Sequence, residues 1–139
     1  RTAEQQAANF IRVAGDMNGA LPPALDLEHM GPCREGPTTA RIDLEVAKMM
    51  DILEAHYGVR PVLYTTQEFH DRYLIDFENE TFWVRSIFQT PKFRQADWRI
   101  WQHHHKGTVP GIKGPVDLNA FRGSADDLEN MRMQGHVGG

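Results

Sequence analysis

Short apolar runs alternate along this chain with stretches of helical periodicity, and that alternation restricts the possible folds more than any other feature. Ala3, Ala7, Phe10, Ile11 and Ala14 recur at helical spacing over residues 2–14, with Gly15 where a helix would end. Asn18-Gly19 makes a turn, and Pro22-Pro23 launch an apolar run through Ala24-Leu25-Asp26-Leu27-Glu28 that reads as a strand. Gly31 to Pro37 reads as loop, and a long amphipathic helix follows from Thr38 or Thr39 to Tyr57, with Ile42, Val46, Met49, Met50 and Leu53 as its apolar stripe and Gly58 after it. Arg60 to Thr65 is a second strand with proline near its start, and Gln67 to about Tyr73 a short helix. Thr81 to Arg85 and Trp98 to Gln102 are further strands, rich in aromatic and β-branched residues, whereas Gln89 to Ala96 is too short and irregular for a helix. The glycines and prolines from Gly107 to Pro115 lead through a loop into Val116-Asp117-Leu118-Asn119, a strand returning antiparallel. Ser124 caps a terminal helix to about Met133, with Asp126 and Asp127 in its first turn, and Gly135 to Gly139 reads as a frayed end. The predicted class is α/β, with a largely parallel sheet and right-handed crossovers, as an open sheet or part of a barrel.

Composition removes several functions. At 139 residues the chain is expected to form one domain. A net charge of −4 argues against nucleic acid as the main partner, which would want clustered Lys and Arg. No apolar stretch reaches the length needed to cross a bilayer, so no membrane partner is expected. Cys33 is the only cysteine, so no intramolecular disulfide can form. The chain starts at Arg1 without a signal peptide, from which the reading is that any targeting segment is removed or absent.

The carboxylates of the first strand are the strongest chemical signal. Asp26 and Glu28 lie two residues apart, so period-2 geometry points them to one side and Leu25 and Leu27 to the other. They stand roughly 6–7 Å apart along the strand, where mutual repulsion raises the pKa of at least one and keeps it available as a proton donor. Capping nearby amides or pairing with arginine is the commoner role of an arbitrary Asp-x-Glu. In parallel sheets, however, ligands meet the C-terminal strand ends, where Glu28, Tyr64 and Gln102 all fall. Trp83, Trp98 and Trp101 are first of all core residues; alternation puts Trp98 and Trp101 on opposite faces, so at least one of the two packs in the core. In His103-His104-His105 only His103 and His105 would share a face, and no third ligand is evident, so no metal is expected.

Five blocks then coincide: Leu21 to Glu28, Arg60 to Thr65, Phe82-Trp83, Trp101-Gln102, and Val109 to Ile112 with Val116 to Gly123. In order and spacing they resemble the glycoside hydrolase family 25 lysozymes, the Chalaropsis-type muramidases, from the first helix to Gly123. The resemblance implies a (β/α)-barrel of mostly parallel strands with an antiparallel C-terminal strand, and hydrolysis of the β-1,4 bond between N-acetylmuramic acid and N-acetylglucosamine in peptidoglycan. By motif it makes Glu28 the general acid, Asp26 its companion and Asp117 a further active-site acid, with Tyr64, Trp83 and Gln102 lining the sugar groove. It implies no cofactor, and a secreted or periplasmic location follows from the substrate. Whether the second step uses an aspartate nucleophile or the substrate's N-acetyl group stays open at the level of sequence.

The family's pattern has a further N-terminal half, with another active-site aspartate, that has no counterpart here. Residues 1–123 are therefore expected to form a partial barrel lacking that half, and 124–139 a C-terminal helix and tail. Unpaired outer strands would favour self-association or a complementary half. Besides a muramidase, the chain could then be a non-catalytic peptidoglycan-binding fragment, a half-barrel that needs a partner chain, or an assembly module.

Overall fold

The computed structural model describes residues 2–28, 39–87 and 98–133. The expected loop at Gly31–Pro37 with Cys33, the irregular segment 89–96 and the tail 135–139 lie outside these residues. The strands are β1 (Ala24–Leu27), β2 (Val62–Thr66), β3 (Phe82–Arg85), β4 (Trp98–Gly107) and β5 (Val116–Phe121). The helices are α1 (Ala3–Ala14), α2 (Thr39–Tyr57), α3 (Gln67–Phe69) and α4 (Ala125–Asn130), and a π-helical turn, His70–Leu74, continues α3. They divide between two compact units, one of Arg1–Ala24, Met30–Val62 and Ala125–Gly139, the other of Leu25–His29 and Leu63–Ser124.

The first unit is helical. Thr2 caps α1 by accepting from the Gln5 amide at 3.1 Å while the Gln5 side chain accepts from the Thr2 amide, a reciprocal box that satisfies two otherwise open donors. The helix ends at Gly15, whose φ of 62° a side chain would oppose. Ala3 and Ala7 are buried, and the small residues allow close approach to α2, whose Glu45 accepts from the Ala3 amide at 2.8 Å. From α2, Val46, Met50, Leu53 and Tyr57 are buried, along the stripe that the periodicity predicts. Tyr57 meets Phe10 edge to face and donates to the Gly15 carbonyl. The last helix is shorter than expected, closing at Asn130. Beyond it the backbone turns so that Met133 exchanges hydrogen bonds of 2.7 Å with Gly19 and Ala20, a pairing between distant segments that outcompetes another helical turn.

The second unit is a five-stranded sheet in the order β1-β2-β3-β4-β5. β2 pairs parallel with β3 and β3 with β4, whereas β4 and β5 are antiparallel, so the sheet is mixed and mostly parallel as expected. Leu25, Leu63, Thr65, Phe82 and Val84 are buried. Phe69, Tyr73 and Leu74 from α3 and the π-helical turn are buried too, and the His70 ring meets Phe82 edge-on at 5.4 Å. Thr65, fully buried, donates to the Leu27 carbonyl at 2.8 Å and so ties β2 to β1.

Two local irregularities correct the simple alternation. A bulge shifts the β3–β4 register between Phe82 and Trp83, so Trp98 pairs with Phe82 and Trp101 with Val84. Because Phe82 and Val84 share a face, Trp98 and Trp101 share it as well, their rings 5.9 Å apart, instead of facing opposite ways. β4 also runs on to Gly107 through His103, His104 and His105, past the strand end that the sequence pattern places at Gln102. Its antiparallel ladder with β5 reaches Gly107↔Val116, and backbone pairing of that length carries residues with little strand preference of their own.

Gly107 is required by packing. A Cβ there would lie 2.5 Å from Leu118 Cγ and 2.6 Å from its Cδ1. Gly107→Ala is expected to destabilise the protein by about 1–3 kcal/mol in urea unfolding. Adding Leu118→Ala to it should recover part of that loss; a strictly additive double mutant would disprove the clash.

Candidate active site

Strand alternation assembles the site within the sheet unit. On β3, Phe82 and Val84 are buried while Trp83 and Arg85 are half-buried on the other side. Tyr64 pairs with Trp83, Thr66 with Arg85, Arg85 with Gln102, and Gln102 with Asn119, so one face carries Tyr64, Thr66, Trp83, Arg85, Gln102 and Asn119 in adjacent rows. Asp117 stands two residues before Asn119 on β5 and is exposed. Asp26 is exposed on β1, and Glu28 follows immediately after its end, with a side chain 20% exposed.

Hydrogen bonds lock the aromatic part of this face. The Tyr64 hydroxyl donates to the Gln102 side-chain oxygen, and Gln102 itself is buried. Trp83 Nε1 donates to Asn119 Oδ1 at 2.8 Å, and the Tyr64 and Trp83 rings meet edge to face with centroids 4.8 Å apart. Two aromatic side chains are thus held in fixed orientation across β2, β3, β4 and β5. Trp101 is turned away from them, its Nε1 donating to the Ser86 carbonyl at 2.7 Å, and Trp98 lies under the Arg122 guanidinium at 4.0 Å.

The acids are unequal. Burial raises the Glu28 pKa, and a side-chain hydrogen bond with Asp26 and the Asp26 charge push it further in the same direction; Arg85 opposes them, its Nη1 3.8 Å from Glu28 Oε1. Burial also raises the Tyr64 hydroxyl, to about 12, with the charges of Glu28, Asp26 and Asp117 adding to it, so it remains a neutral donor. A pocket of about 320 Å³ opens beside Glu28, lined also by Thr66, Gln67, Glu68 and Arg85. A carboxyl whose proton affinity is raised next to a cavity is suited to deliver a proton to a ligand there.

All six residues singled out in the sequence, Asp26, Glu28, Tyr64, Trp83, Gln102 and Asp117, therefore fall in one unit around one face. Arg85 and Asn119 were not singled out. Both were accessible to the same alternation, since Arg85 is two residues from Trp83 and Asn119 two from Asp117. Register shifts interrupt the β4–β5 ladder within the histidine run, between Gln102 and His104 and between His104 and Gly107. Among the described residues, no group of three or more His, Cys, Asp or Glu side chains is placed to hold a metal ion, and no helix is long and apolar enough to cross a membrane.

The sequence profile of the glycosyl hydrolases family 25 matches residues 1–112. The chain belongs to that family. An uncharacterized Escherichia coli K12 protein, YegX, is 31% identical over 130 residues, which cover 92% of this chain and 46% of YegX; the chain thus spans about half the length of that relative. Among solved structures, a family 25 glycosyl hydrolase from Bacillus anthracis superposes with a TM-score of 0.86 at 33% identity, covering 96% of this chain and 64% of that one. A bacterial lysozyme from Streptomyces coelicolor follows at 0.81 and 27%, covering 95% of this chain and 66% of that one. Within family 25, the mixed five-stranded sheet of this chain is thus the shared architecture; Glu28, Tyr64, Trp83, Arg85 and Gln102 lie inside the profile match, whereas Asp117 and Asn119 lie beyond residue 112.

Proposed function

We propose that the chain carries the acid half of a muramidase site that hydrolyses the β-1,4 bond between N-acetylmuramic acid and N-acetylglucosamine in peptidoglycan. The observation that supports this most is Glu28: a carboxyl pushed toward its protonated form by burial and by Asp26, opening on a pocket beside a face with two fixed aromatic rings. Glu28 is the general acid and protonates the leaving glycosidic oxygen. Asp26 and Asp117 are the anionic company that offsets the positive charge developing on the sugar. Trp83 and Tyr64 supply apolar and polar surface for the glycan, with Gln102 and Asn119 fixing their orientation. The lysozyme identity of the S. coelicolor neighbour and the family membership favour this substrate. A peptidoglycan substrate places the protein's work in the periplasm or outside the cell.

The direct test is release of new reducing ends from purified peptidoglycan by the full-length protein. No release, with the protein folded, would reject the reading. Trp83→Ala is expected to raise KM for glycan about tenfold while changing kcat less, because the ring binds ground state and transition state alike. A fall in kcat with KM unchanged would instead place Trp83 in the chemistry.

A second reading, a peptidoglycan-binding half-barrel without activity of its own, draws support from β1 and β5, each of which has a single neighbour in the sheet among the described residues. It predicts heat of muropeptide binding in calorimetry with no reducing ends formed.

A further inference from the structure

Arg85 takes no part in the chemistry proposed above, yet it stands beside the acid. Its Nη1 is 3.8 Å from Glu28 Oε1, and both side chains border the pocket formed with Thr66, Gln67 and Glu68. Its backbone is held from both sides, paired with Thr66 on β2 and Gln102 on β4. The Arg85 side chain is 39% exposed, so its ion pair with Glu28 is partly screened by water.

We propose that Arg85 is a positioning residue for proton donation: from β3 it holds the Glu28 carboxyl toward the pocket and counters Asp26, so that two neighbours of opposite charge set the upper pH at which the site works. The inference rests on Glu28 being the proton donor. The charged and titratable groups that bear on this corner are Asp26 from β1, Tyr64 from β2, Glu68 from α3, Arg85 from β3 and Asp117 from β5, whereas β4 presents the neutral Gln102. Arg85 is the cation of that set. Without it, Asp26 and burial would act on Glu28 unopposed, and the carboxyl would hold its proton more tightly. A general acid works best when its pKa lies near the working pH, so groups of opposite charge beside it tune the reaction.

The sign follows. A general acid acts while protonated, so the alkaline limb of kcat/KM tracks the Glu28 pKa. Arg85→Met, which keeps the length and removes the charge, should move that limb up by about half to one pH unit, the partial exposure of the pair keeping the shift at the low end for a close ion pair. Asp26→Asn should move it down. Arg85→Lys retains the charge and should keep the limb near wild type while losing the planar geometry, seen as a lower kcat. The experiment is a pH profile of peptidoglycan hydrolysis by the full-length protein and these variants, with a carbon-detected NMR titration of the Glu28 carboxyl as a readout independent of activity. A limb and a titration midpoint unmoved in Arg85→Met would overturn the inference, as would Arg85→Lys moving as far as Arg85→Met. Glu28→Gln separates the two ideas: wild-type activity in that variant overturns both, whereas loss of activity there with an unmoved Arg85→Met limb overturns this one alone.

Discussion

Glu28→Gln is expected to lower kcat for peptidoglycan hydrolysis by about a hundred- to ten-thousandfold with KM little changed. The amide keeps the shape of the side chain and can still donate a hydrogen bond, but it has no proton to give up, and positioned proton transfer contributes a factor of that order. Burial and Asp26 both disfavour the charged carboxylate of Glu28, with Arg85 opposing them in part. The same arrangement works against stability, because a carboxyl whose pKa is raised by folding loses stability as pH climbs from its unfolded value through its folded one. Glu28→Gln should therefore unfold at the same or a slightly higher temperature than wild type at neutral pH, in parallel with the lost activity. A variant that lost activity together with several degrees of melting temperature would point to a structural role, and one that kept its activity would remove Glu28 from the mechanism.

Phe82→Ala should cost about 3–5 kcal/mol of stability, a large share of what a domain of this size possesses. Phe82 is fully buried, pairs with Leu63 on one side and Trp98 on the other, and meets the His70 ring edge-on. Removing its ring leaves a cavity under the strand whose next residue is Trp83. The loss should appear as a lower urea midpoint with an unchanged slope. Because the register of β3 also aims Trp83 and Arg85, weaker glycan binding is expected below the unfolding transition. A loss under about 1 kcal/mol would mean that the neighbouring side chains close the gap, and the site should then survive intact.

Much of the fold was legible because its signals are local. The stripe of α2, the apolar spacing and closing glycine of α1, and the apolar character of β1, β2 and β3 each depend on residues within a few positions of one another. What could not be read there depends on pairing between distant segments. The length of β4 comes from its ladder with β5, and the early end of α4 from the backbone bonds of Met133 to Gly19 and Ala20. The shared face of Trp98 and Trp101 comes from a bulge opposite β3, which no periodicity along β4 announces.

The site divides in the same way. Asp26 and Glu28 were conspicuous as acids in an apolar strand, and period 2 alone put them on one side. Sequence by itself could thus determine that a repelling carboxylate pair ends an apolar strand, of which the structure buries Leu25, and that Trp83 and Asp117 belong to blocks in a recognisable order. Only the tertiary structure showed that burial and Asp26 raise the proton affinity of Glu28 and that an arginine 57 residues further along the chain opposes them. It likewise decided that Tyr64 leans on Gln102 and Trp83 on Asn119, contacts made across strands. The physical reason is that alternation along a strand is a property of the backbone, whereas a carboxyl's proton affinity is set by whatever the folded chain brings within a few ångströms of it.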